Sequence, residues 1–142
     1  MNAIRPKRIG LGILVTIAVL GVFDLIPSFV PSSAIDYRLF GYFYFWVAIE
    51  GAIIMFMAAL IGAYVAKVNF VGPAVLLSIT VWTFTVYFLN SIASAAGPDD
   101  ILNVASINIL GLLFGAYGSG IGALVGRRFA KAKTEENAVG AI

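Results

Sequence analysis

Four stretches of this chain, residues 9–30, 43–66, 71–95 and 102–125, each exceed 20 residues and carry almost no charge. A helix rises about 1.5 Å per residue, so each run is long enough to cross a hydrocarbon core of about 30 Å. Lipid offers no partner to a bare peptide group, so such runs must satisfy their backbones internally as helices. A membrane β-barrel would need short alternating segments, and these runs are continuous. Composition agrees. Apolar residues make up 61% of the 142 and charged residues 11%, too few to cover a soluble domain of that size. The first run follows Arg5, Lys7 and Arg8, as a secretion signal would. It is longer than a signal's apolar region and has no clear cleavage site, so it is expected to stay as a span. The expected fold is an all-α integral membrane protein. Residues 1–128 form a four-transmembrane-helix bundle, and residues 129–142 form a polar tail that frays into solvent.

The charges between the runs predict an orientation. Arg5, Lys7, Arg8, Lys67, Arg127, Arg128, Lys131 and Lys133 fall on one side of a four-pass chain, and only Arg38 falls on the other. Basic loops stay in the cytoplasm, which places both termini and Lys67 there. In a bacterium this would be the inner membrane. Asp36, Asp99 and Asp100 then face out, and Tyr37, Tyr42, Tyr44 and Trp46 gather where aromatic rings favour the outer interface.

The chain contains no histidine and no cysteine. That removes the usual ligands for haem, iron–sulfur clusters, zinc and copper, and it removes Ser–His and Cys–His nucleophiles. No cofactor or metal is expected. A net charge of +2 gives no reason to expect nucleic acid. Enzymatic activity is not expected, and a lipid-acting enzyme using paired carboxylates is the least favoured class.

Two acids interrupt the runs. Asp24 lies 16 residues from Arg8 in the first and Glu50 lies 17 from Lys67 in the second, depths of about 24 and 26 Å. Asn90 and Asn108, counted from Gly72 and Arg127, reach about 27 to 29 Å by the same rise. Each helix would thus add one polar residue to a single layer. An ionisable group in a span suggests function and requires a partner. Asp24 and Glu50 could share a proton, or hold a cation with asparagine oxygens and carbonyls loosened by Pro27, or meet a base from another subunit. The competing reading is plain interhelical hydrogen bonding.

Glycine supplies the other signal. The fourth run holds Gly111-x-x-x-Gly115-x-x-x-Ser119 and Gly118-x-x-x-Gly122-x-x-x-Gly126, and the second holds Ala58-x-x-x-Gly62-x-x-x-Ala66. Small residues at spacing four let helix backbones approach, so the second and fourth helices are expected to touch. The same stripes would serve a homo-oligomer or a larger membrane complex. IGAYVAK at 61–67 also lies on IGALVGR at 121–127 when the chain is shifted by 60 residues. That suggests a duplicated helical hairpin.

These features leave two principal expectations for function. One is a subunit of an oligomeric ion- or proton-linked transporter or channel that uses Asp24 and Glu50. The other is a non-catalytic accessory or assembly subunit of a larger membrane complex.

Overall fold

A computed structural model describes residues 4–23, 25, 40–96, 105–106 and 108–139. Four long helices fill it: α1 (Ile4–Phe23), α2 (Phe40–Ala66), α3 (Val71–Ala96) and α4 (Ile109–Val139). Among the described residues all four are long and apolar enough to cross a membrane, with mean hydropathies of 1.6 to 2.1 over the spans.

The helix ends follow local chemistry. Pro6 and Pro73 sit in the first turns of α1 and α3, where the missing N–H has no intrahelical partner to lose. The Asn69 side chain accepts the Val71 amide at 3.5 Å, and the Phe70 carbonyl accepts the Ala74 amide at 2.9 Å, which opens α3. Lys67 ends α2 in the left-handed region at φ 55°. One end runs beyond the apolar pattern. Helix α4 starts at Ile109 and continues past the apolar run to Val139, because Phe-Ala-Lys-Ala-Lys-Thr-Glu-Glu is rich in good helix formers. Helix α1 ends at Phe23, and Asp24 lies outside the described residues.

Helices α2 and α4 share the largest interface; α1 packs on α2, and α3 packs on α4. Contacts between α1 and α3, or α2 and α3, are slight. Most of the buried positions are small: Ala58, Ala59, Ala63, Ala66, Ala74 and Ala123, with Thr16, Ser78 and Ser119. The large apolar side chains point outward, with Tyr117 72%, Phe84 70%, Leu14 66% and Leu76 66% exposed. In water that surface would aggregate. In lipid it is the expected arrangement, because tails solvate Leu and Phe while small residues bring helices together.

One end of the bundle is tied. Phe70, from the short α2–α3 connection, is fully buried. A Cβ on Gly12 would lie 2.7 Å from its ring and one on Gly62 would lie 3.2 Å from it, so the ring is wedged between α1 and α2. Ala59, Ala63, Ala66, Ala74 and Ala123 complete this cluster, flanked by Ile9, Ile13 and Val71. All four helices meet here. Farther from this end α1 and α3 diverge over the α2–α4 pair.

Candidate functional site

The middle of the bundle is a closed seam. Cβ atoms built on Gly118, Gly122 and Gly126 of α4 would strike the carbonyl oxygens of Ala52, Phe56 and Leu60 of α2. The two helices advance in the same direction and keep a constant difference of 66 positions. Glycine alone permits this approach, which suits dispersion contact and Cα–H···O=C pairing along the seam. The other α4 stripe turns elsewhere. A Cβ on Gly115 would lie 2.9 Å from Ser78 Oγ of α3, and one on Gly111 would meet only Trp82, at 3.8 Å. The small stripe of α2 also has a different neighbour: Gly62 packs on Thr16 Oγ1 and the Gly12 carbonyl of α1. The Thr16 hydroxyl donates to that same Gly12 carbonyl at 2.8 Å, so a buried polar group is satisfied within its own helix.

Where α1 and α3 part, they leave a cleft of about 480 Å³. Gly21 of α1, Gly51 of α2, Ser78 and Trp82 of α3, and Gly111 and Gly115 of α4 all line it, among mostly apolar neighbours. Trp82 Nε1 donates to the Asn108 carbonyl at 2.9 Å and ties the opening turn of α4 to α3. Asn108 is therefore not a mid-helix residue; its carbonyl also accepts the Gly111 amide at 3.0 Å. Thr85, on the cleft wall, donates to its own helix at the Val81 carbonyl.

The polar residues expected to share a layer are spread out. Glu50 is half-buried on α2 and lies nine residues before the buried Ala59, so it points away from the α4 seam on an ideal helix. Val47, Gly51 and Ile54 of the cleft surround its position, which puts it at the rim. The seam register sets Glu50 level with position 116, so Asn108 sits about 12 Å farther along the bundle. Asn90 lies eight residues beyond Trp82 on α3, again about 12 Å, and its buried Oδ1 accepts no hydrogen bond among the described residues. Asp24 lies outside the described residues and follows directly after the helix that brings Gly21 to the cleft. Among the described residues no group of three or more acidic, histidine or cysteine side chains could hold a metal ion.

Sequence reasoning did not single out Phe70, Thr16, Ser78 or Gly21. Gly21 and Gly51 carry a further signal. Both line the cleft, yet a Cβ on either would meet no atom of the described residues within 4 Å. Comparison with protein-family models, curated proteins and solved structures gave no match.

Proposed function

We propose that this chain is a small assembly subunit that receives a transmembrane helix of another membrane protein in the cleft between α1 and α3. Gly21 and Gly51 carry this reading. A glycine inside a helix costs about 0.5–1 kcal/mol relative to alanine. Gly118, Gly122 and Gly126 offset that cost with close contact inside the chain, whereas Gly21 and Gly51 line the cleft and face open space among the described residues. A visiting helix with its backbone close to theirs explains why they are small. Among the described residues, the closed α2–α4 seam leaves no conduit between those two helices. In this reading both termini are cytoplasmic, following the basic residues.

The test is Gly51→Leu. The Cβ of the new side chain meets no described atom within 4 Å, and the rest of it projects into the cleft. The isolated variant keeps its helicity and loses its partner. A variant that holds its partner as tightly as the unaltered chain sinks the reading.

The transport reading keeps one supporting observation: Glu50 sits in an apolar span at the cleft rim, three residues from Val47 and four from Ile54. Asp24 follows α1 in the sequence. Several copies or a partner would have to complete a pathway around these acids. Asp24→Asn and Glu50→Gln would then abolish flux in reconstituted vesicles, and unchanged flux in both would end that reading.

A further inference from the structure

At the tied end of the bundle, the extended α4 helix stands beside the end of α2. Arg127, Lys131 and Thr134 repeat at intervals of four and three along one face, and Lys67 and Asn69 face them from the α2–α3 connection. Together with Glu135 they enclose a hollow of about 340 Å³. Two smaller hollows adjoin it, one bounded by Arg127, Arg128 and Lys131 beside Leu124, the other by Lys67 and Lys133 beside Tyr64 and Val65. Among the described residues none of these five cations forms an ion pair, with Glu135 or otherwise.

We infer that this hollow binds the phosphate of an anionic membrane lipid. Three observations converge. First, α4 stays helical beyond its apolar run, which fixes Lys131 about 6 Å past Arg127 on the same face instead of leaving it on a loose tail. Second, Lys67 occupies a left-handed backbone conformation at φ 55°, where glycine is the unstrained residue. A lysine held there at a conformational cost points to a use for its side chain. Attraction to the carboxyl end of the α2 dipole is one such use, but it does not account for Arg127 and Lys131 converging on the same space. Third, the hollow lies where a membrane-spanning α2 leaves the lipid. Three cations, an amide and a hydroxyl surround it against one carboxylate, and apolar residues border the adjoining hollows as acyl chains would require. A phosphate fits the donors, and juxtamembrane Lys and Arg clusters draw anionic headgroups.

Native mass spectrometry of the full chain, titrated with phosphatidylglycerol or phosphatidylcholine, tests this. The expected result is one phosphatidylglycerol retained in preference to phosphatidylcholine. Each cation removed weakens it about fivefold, so Arg127→Gln with Lys131→Gln weakens it roughly 25-fold. Lys7→Gln with Arg8→Gln removes two cations from α1, outside the hollow, and leaves retention unchanged. Circular dichroism confirms that both double variants keep their helices. Equal loss in the two would mean diffuse surface charge and would overturn the site, as would equal retention of the two lipids. Competition with inorganic phosphate separates the sources. Resistance to millimolar phosphate upholds the lipid, and displacement would overturn the lipid assignment in favour of a soluble phosphate.

Discussion

Replacing Gly122 by alanine probes the seam most directly. The new methyl would strike the Phe56 carbonyl oxygen, with the carbonyl carbon at 2.9 Å and Cα at 3.0 Å. These are backbone atoms within a helix, so no side chain can swing aside. The helices must part by nearly an ångström, and a gap of about 1 Å forfeits about half of each dispersion contact along the seam. Overpacking of this kind costs about 1–3 kcal/mol, and about 2 kcal/mol is the expectation here. Gly10→Ala is the control, because its methyl meets nothing within 4 Å. Improved helix propensity should make it stabilising by about 0.5–1 kcal/mol. Reversible unfolding in mixed detergent micelles reads both. Gly118→Ala combined with Gly122→Ala should cost less than the two single changes together, since one separation of the helices accommodates both methyls. If Gly122→Ala and Gly10→Ala prove equally stable within about 0.5 kcal/mol, an error typical of additive comparisons, the seam does not hold the bundle together.

Other outcomes follow from single contacts. Phe70→Ala empties the wedge between α1 and α2, should cost about 3 kcal/mol, and is read by the same unfolding assay. Trp82→Phe removes the bond to the Asn108 carbonyl, should cost about 1 kcal/mol beyond the lost packing, and should raise amide exchange in the first turn of α4. Lys67→Gly relieves the left-handed position and should raise stability by up to about 1 kcal/mol, while phosphatidylglycerol retention falls. A rise in both would separate the backbone effect from the proposed phosphate contact and refute the latter.

The four long apolar helices were legible because lipid imposes a single demand, an unbroken apolar run, and the chain is apolar enough to meet it four times. The ends were less legible. Apolarity stops near Val125, but helix propensity carries α4 on to Val139. That shift also explains the polar layer. Depths counted from Lys67 and Arg127 treat those residues as level, yet the register of Gly118 over Ala52 sets Lys67 level with position 133. Asn108 consequently moves away from Glu50. Glycine spacing marks a helix face that can be approached without naming the neighbour: Gly62 receives α1, Gly122 receives α2, and Gly115 receives α3. The cleft has no local signature at all, because it arises from the divergence of α1 and α3, helices more than 40 residues apart in the chain. Gly21 and Gly51 mark it only once the helices are packed, because Gly10 and Gly72 share their open surroundings without lining the cleft.

The assembly reading meets its most direct test in native mass spectrometry of the tagged chain, released gently from its own membrane. The account predicts a complex in fixed ratio with at least one different membrane protein, lost on Gly51→Leu. A monodisperse species containing only copies of this chain, unaffected by Gly51→Leu, would contradict it.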